Sequence, residues 1–289
     1  MKLATINDRG VARFGAIVDD GFIDLKARLG GRCNDLKELL AQDLLGQAAQ
    51  MCRGAKADLA LSQLEFLPVN PRLDMRVFAL GWSYKSHMTE TGKEAPEFPV
   101  LFSKHPQSIV GHEQTLCYPA GSQKYDYEGE IAIMIGKAGR NIAPEQAHEH
   151  IAGYSIFMDG SARDFQQHSI TAGKNFDSSS SFGPWLVTSD EIADPKKMVL
   201  TTRLNGEVMQ QSGFDLMAWD LGFLLNYVSS ITELQPGDVI STGTPSGVGS
   251  RRTPPRFMKI GETVEVEVTG IGTLRNRIGG ATMTQGSGL

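Results

Sequence analysis

The residues predict an α+β fold, mainly β, with a small N-terminal α+β domain over 1–70 and a larger region over 71–289. Three observations carry this expectation. Short apolar or alternating runs, each closed by Gly, Pro, Asn or Asp, recur along the chain, which is the pattern of strands and turns. Helical patterns are few and do not alternate regularly with the strands, which argues against a doubly wound sheet. Pro68 and Pro71 bracket a linker, which places the boundary near residue 70.

Residues 3–6 and 11–18 read as strands joined at Asn7-Asp8-Arg9-Gly10. The turn Asp19-Asp20-Gly21 leads to Phe22-Ile23-Asp24-Leu25 and completes a small meander. Asn34 is placed to cap a helix through Leu40, a second helical piece covers 43–53, and 64–67 is a strand. A short buried strand at 77–80 precedes a helix over 84–91, which Gly92 can end. Residues 93–99 form a polar, proline-punctuated loop before a strand at 100–103.

Residues 125–135 read as the central strand. Side chains alternate between faces in a strand, so Tyr127, Ile131, Ile133 and Ile135 share one side. Asp126, Glu128 and Glu130 share the other. Glu128 and Glu130 then lie roughly 7 Å apart at backbone level. Carboxylates that close repel unless a cation or a shared proton sits between them. The plainer alternative is a half-exposed strand with a solvated acidic face.

Pro144 starts a helix through His150, and a strand at 153–158 delivers Asp159 at its end. Ser161 is placed to cap a short helix over 162–166, and the serines at 178–181 read as a flexible loop. Residues 184–187 and 200–204 are strands, with a turn at Asn205-Gly206 before Glu207-Val208-Met209. Met217, Leu221, Leu224, Val228 and Ile231 step by fours and threes, giving a helix with one apolar stripe. A turn at Pro236-Gly237-Asp238 leads to a strand at 239–241. Val264, Val266 and Val268 alternate with Glu265, Glu267 and Thr269 in a further strand. The tail from Gly279 is rich in Gly and Ser and is expected to fray.

Composition narrows the function. The net charge of −5 leaves no electrostatic footprint for nucleic acid. No apolar run is long enough to span a bilayer as a helix. The N-terminus lacks a signal-peptide layout, and three scattered cysteines give neither a disulfide framework nor zinc spacing, so a cytoplasmic protein is expected. Thr242-Gly243-Thr244-Pro245-Ser246-Gly247 is Gly-rich but lacks the lysine of a phosphate loop.

Glu128, Glu130 and Asp159 are three hard oxygen donors, which suit Mg²⁺, Mn²⁺ or Ca²⁺ better than zinc or copper. His87 and Glu90 stand at i and i+3 on one helix face. Such a pair can deprotonate water, or can be two solvated surface groups. Arg163 and Gln166, also i and i+3, follow Asp159 and can reach the same cavity. Arg163 suits a carboxylate or a developing oxyanion, or a salt bridge to Asp164. Lys174 lies outside any charge run.

Several motifs occur in one order. They are Gly81-x-x-Tyr84-x-x-His87-x-x-Glu90, Glu128-Gly129-Glu130, and Asp159 followed by Ser161-Ala162-Arg163-Asp164. Gly173-Lys174-Asn175-Phe176-Asp177, Asn205-Gly206-Glu207, and Pro236-Gly237-Asp238 with Gly243-Thr244-Pro245 complete the set. With these the chain resembles the fumarylacetoacetate hydrolase family over about 75–280, in its branch of acylpyruvate hydrolases and 2-hydroxyhepta-2,4-diene-1,7-dioate isomerases. Three positions depart from the usual pattern: Ser83 precedes the tyrosine where many members have Asn, and Met158 and Gly160 flank Asp159 where many have Asn and Val.

The resemblance implies mixed β-sheets rolled around a central site, commonly in a homodimer. It implies Mg²⁺, or else Mn²⁺ or Ca²⁺, held by Glu128, Glu130 and Asp159. By the same match His87 and Glu90 activate water, Lys174 stabilises an oxyanion, and Tyr84, Arg163, Gln166 and Thr244 meet a small 2-oxo acid. The expected reaction is hydrolysis of a C–C bond in an acylpyruvate, with a metal-stabilised enolate leaving. The alternative is isomerisation, tautomerisation or decarboxylation of a 2-oxo dicarboxylate. A third reading, a metal-stabilised scaffold without catalysis, conflicts with every candidate catalytic position being filled.

Overall fold

The structure is a computed structural model, and it describes residues 1–19, 21–92 and 96–280. Expectations for Asp20, for 93–95 in the polar loop and for 281–289 in the tail lie outside the described residues. Gly279 itself ends a strand, Gly272–Gly279.

Among the described residues, the largest sheet has twelve strands. Its central path runs Gly21–Asp24, Val11–Val18, Lys2–Asp8, Ser180–Thr188, Ile151–Met158, Gly129–Ile135, Val239–Ser241, Val77–Gly81, Val100–Lys104. Most neighbours are antiparallel, but Val239–Ser241 and Val77–Gly81 are parallel, so the sheet is mixed. The sheet continues past residue 70, because Lys2 pairs with Val187 and Leu3 with Leu186. A second sheet of five strands packs on one face of it.

The expected two-sided character of 125–135 takes a different form. The segment breaks into Tyr125–Asp126 and Gly129–Ile135, and every residue of the longer piece is buried. Ile131, Ile133 and Ile135 face the five-stranded sheet through Val264, Val266 and Val268. Ala132 and Met134 face a second core that includes Leu36, Leu39 and Leu40. Alternation therefore holds, but it sorts side chains between two cores. The solvated acidic face does not exist: N-terminal helices cover Ala132 and Met134, while Glu128 and Glu130 on the same side are buried against Arg163, Lys174 and Ser241.

Those helices form for local reasons. Leu36–Ala41 buries Leu36, Leu39 and Leu40, the i, i+3, i+4 stripe of an amphipathic helix. Its cap is Asp35, not Asn34: Asp35 Oδ1 accepts from the Glu38 amide at 2.9 Å. Asn34 instead donates its backbone N–H to Glu38 Oε2 at 2.8 Å. Leu45–Cys52 is the second helix. Lys85–Thr91 ends at Gly92 with φ 66°, the left-handed stop that glycine adopts without penalty.

Other expectations are corrected. Ser161 does not cap a helix; its hydroxyl donates to the Asp159 carbonyl at 3.0 Å, and Ala162 holds the cap position of Arg163–Gln166. The serines at 179–181 are buried, with Ser180 and Ser181 starting Ser180–Thr188 rather than forming a flexible loop. Pro144–His150 is a 3₁₀ turn. Met217 precedes the helix Leu221–Ile231, whose first turn Asp220 caps through the Phe223 amide.

Gly129 lies where the two sheets meet. A Cβ there would stand 2.1 Å from Thr202 Oγ1 and 3.0 Å from Val266 Cγ1. The glycine between the two glutamates thus lets the five-stranded sheet press against the site. Gly129→Ala forces strand separation and is expected to cost about 1–3 kcal/mol, read as a lower urea midpoint at unchanged slope.

Candidate active site

Strand register assembles the acids. Gly129 pairs with Met158, so Glu128 and Asp159 meet just past the end of that pairing. The Asp159 amide donates to the Glu128 carbonyl at 2.8 Å and locks the junction. Glu130 follows on the same strand. One ligand oxygen from each of Glu128, Glu130 and Asp159 lies within 4.8 Å of the others, and all three residues are buried. Gly160 is required beside them: a Cβ would sit 1.7 Å from the Ser179 carbonyl oxygen.

Buried carboxylates need partners. Lys174 Nζ lies 2.5 Å from Glu128 Oε2 and 2.8 Å from Asp159 Oδ2. Lys104 Nζ lies 2.8 Å from Asp159 Oδ1, donates to Ser180 Oγ at 2.8 Å and contacts the Lys174 carbonyl. Arg163 Nε bonds Asp126 Oδ2 at 2.8 Å, and its Nη2 forms an ion pair with Glu128 Oε1 at 2.7 Å. Glu130 has no cationic partner among the described residues; its Oε2 accepts from the Ser241 hydroxyl and the Gly243 amide.

The charges follow from these partners. Burial would push Glu128 up, but Lys174 and then Arg163 outweigh it and hold its carboxyl below the usual range. Glu130 is driven well up by burial, with Asp159 and Glu128 adding repulsion. Burial works against the Lys174 ammonium, yet Asp159 and Glu128 raise its pKa. Lys104 is lowered by burial, which Asp159 only partly offsets. A hard divalent cation fits this donor set, because it would supply the positive charge that Glu130 lacks.

A cavity of about 670 Å³ opens onto this cluster and is lined by Glu128, Lys174, Arg163, Gln166, His87 and Thr244 among others. The His87–Glu90 pair is real: Nδ1 lies 3.1 Å from Glu90 Oε2. Glu90 Oε1 accepts the Gly247 amide at 2.9 Å. Both carboxylate oxygens are therefore engaged, and His87 Nε2 is the ring nitrogen that Glu90 leaves for the cavity.

Gln166 accepts from Arg163 Nη1 at 3.0 Å, so the two act together. Thr244 lines the cavity, but its hydroxyl donates to the Gly129 carbonyl at 2.9 Å and accepts from Gln210 Nε2 at 2.8 Å. Tyr84 departs from expectation. It is fully buried in the main core rather than lining the cavity, and its hydroxyl has no hydrogen-bond partner among the described residues. Burial, then the charges of Glu130 and Asp215, push its pKa up.

The match to known proteins now has a structural frame. The family model described as Fumarylacetoacetate (FAA) hydrolase C-terminal matches residues 76–279. The chain belongs to the fumarylacetoacetate hydrolase family. Oxaloacetate tautomerase YisK of Bacillus subtilis (strain 168) is 36% identical over 225 residues, covering 76% of this chain and 75% of that protein. Mitochondrial oxaloacetate tautomerase fahd2 of Xenopus laevis is 35% identical over 285 residues, covering 94% and 88%. A solved fumarylacetoacetate hydrolase from Exiguobacterium antarcticum superposes with a TM-score of 0.81 at 34% identity, covering 97% of this chain and 99% of that one.

Three residues of this family member's site escaped the sequence reading. Asp126 was placed on the acidic face without a role; it accepts from Arg163 and from the Gly249 and Ser250 amides. Lys104 left one faint signal, a lysine ending an apolar strand. Gln210 left none: it lies far along the chain, yet it accepts the Gly129 amide at 3.0 Å and donates to Thr244.

Proposed function

We propose that this enzyme is a divalent-cation-dependent tautomerase of oxaloacetate-type 2-oxo dicarboxylic acids, with Mg²⁺ as its ion. One observation carries the reading: Glu90 spends both oxygens on His87 Nδ1 and the Gly247 amide, which makes His87 a fixed proton carrier at the cavity wall. The names of the two tautomerase relatives support it. Glu128, Glu130 and Asp159 would hold the ion, which supplies positive charge beside the 2-oxo group and so acidifies the neighbouring carbon.

The chain's own groups do the rest. Arg163, kept charged by Glu128 and Asp126, pairs with the substrate carboxylate, and Gln166 orients it. In the enol-to-keto direction C3 gains a proton and the enol oxygen loses one. His87 Nε2 accepts and delivers that proton, with Glu90 holding the ring. Lys174 stabilises negative charge on the substrate oxygen.

Hydrolysis of an acylpyruvate is a second reading. The volume of about 670 Å³ favours it, being far more than a four-carbon acid fills. We also propose a homodimer; the stacked rings of Trp219, Phe223, Tyr227 and the half-exposed Phe98 offer an apolar face for it, and light scattering reads the mass.

One assay separates the chemistries. Enolic oxaloacetate is followed by its absorbance with Mg²⁺, and products are identified. Rapid enol decay without pyruvate, abolished by EDTA, is expected. Pyruvate from oxaloacetate means decarboxylation instead, and turnover of acylpyruvates alone means hydrolysis.

A further inference from the structure

The cavity wall carries four permanently cationic side chains, Lys124, Arg163, Lys174 and Arg251, and a single carboxylate, Glu128. Two of the cations have acidic partners within the protein. Arg163 is held by Asp126, Glu128 and Gln166, and Lys174 by Glu128 and Asp159. Lys124 and Arg251 differ. Both are exposed, and among the described residues neither side chain has a hydrogen bond or ion pair.

Their backbones, in contrast, are tightly held, and by a shared group. Buried Asp126 accepts from the Gly249 and Ser250 amides at 2.8 and 2.9 Å, which fixes the turn that ends in Arg251. The same carboxylate binds Arg163, whose amide donates to the Lys124 carbonyl at 3.0 Å. One buried acid thus clamps both segments to the cavity. The neighbouring arginines are spent elsewhere: Arg252 donates to the Met209 carbonyl at 2.8 Å, and Arg256 pairs with Glu262. Arg251 alone of that run turns an unpaired guanidinium to the cavity wall.

An excess of positive charge on a cavity wall, with two cations lacking partners, matches a ligand with a second negative charge. We propose that Lys124 and Arg251 bind the second carboxylate of the substrate and make the cavity select dianions over monoanions of equal length. This rests on reading the cavity as a 2-oxo acid site. Arg163 and the acid cluster take the 2-oxo acid end, and the Lys124–Arg251 pair takes the other.

The test compares two unreactive probes with the same five-carbon chain, 2-oxoglutarate and 2-oxopentanoate, by titration calorimetry with Mg²⁺. The wild-type chain is expected to bind 2-oxoglutarate about tenfold more tightly. Each exposed ion pair is individually weak, so the pair of residues is exchanged together. The Lys124→Gln/Arg251→Gln variant should lose that preference and keep its affinity for 2-oxopentanoate, while Arg251→Lys should retain part of it. An unchanged urea midpoint reports the fold.

Equal binding of the two acids by the wild type overturns the assignment. So does a preference that survives the double exchange, and so does binding of neither acid. Enol decay of oxaloacetate is read on the same samples. Tautomerisation without diacid preference removes this assignment and leaves the activity standing. Diacid preference without tautomerisation does the reverse.

Discussion

Exchanging Asp159 for alanine is expected to remove divalent-ion binding and to destabilise the chain by about 3–5 kcal/mol. Both effects come from one carboxylate. Among the described residues its Oδ1 is the only carboxylate oxygen paired with Lys104, and both side chains are 0% exposed. Its Oδ2 shares Lys174 with Glu128. Without it Lys104 is a buried ammonium facing a hydroxyl and a carbonyl, and desolvation then drives off its proton. The acid trio falls to two carboxylates on one segment. Calorimetric titration with Mg²⁺ and Mn²⁺ checks the first effect, and the urea midpoint checks the second. A variant that unfolds like the wild type and still binds the ion would show that the two lysines and the trio are not coupled through this group.

The second large effect is kinetic. His87→Asn is expected to lower kcat for oxaloacetate enol decay by about 10²–10⁴-fold, the usual contribution of a positioned proton carrier. Ion affinity should not change, because His87 pairs with Glu90 and not with the acid trio. Glu90→Gln is expected to lower kcat as well. The amide can accept the Gly247 N–H through Oε1, but it then offers His87 Nδ1 only N–H donors, which holds the ring proton on Nε2. Stopped-flow absorbance resolves both variants. Near-normal turnover by His87→Asn would reassign proton transfer to another group on the wall, with Lys174 the first to test.

Much of the fold was legible because it depends on short-range pattern. The alternating valines at 264, 266 and 268 are buried as expected, and Thr263–Val268 is a strand. The stop at Gly92 and the turn at Asn205-Gly206 follow from backbone conformations that those residues accept. The local reading failed where a distant element decided the outcome. A solvated acidic face at 125–135 stayed open as an alternative because nothing nearby announces the groups that bury it, Arg163, Lys174 and Ser241 from later in the chain. Tyr84 was expected at the ligand because the family motif includes it, yet it is the extended residue just before the helix Lys85–Thr91 and its side chain is buried in the core. The serines at 179–181 looked like a loop, but the strand partner at 156–158 and the Lys104 ammonium give them buried bonds.

The candidate site divides along the same line. Residue order alone was enough to nominate Glu128, Glu130 and Asp159 as oxygen donors, to pair His87 with Glu90, and to point to the family. The pair rests on spacing within one helix, and the trio and the family rest on residue types and motifs in a fixed order along the chain. Which groups answer the acids' charge could not be read that way. Lys104 meets Asp159 across 55 positions, and Lys174 meets Glu128 across 46. Those meetings depend on the Gly129–Met158 register and on two sheets closing over a residue with no side chain. Charge compensation in a buried site is a matter of distance in space, and only the packed chain sets that distance.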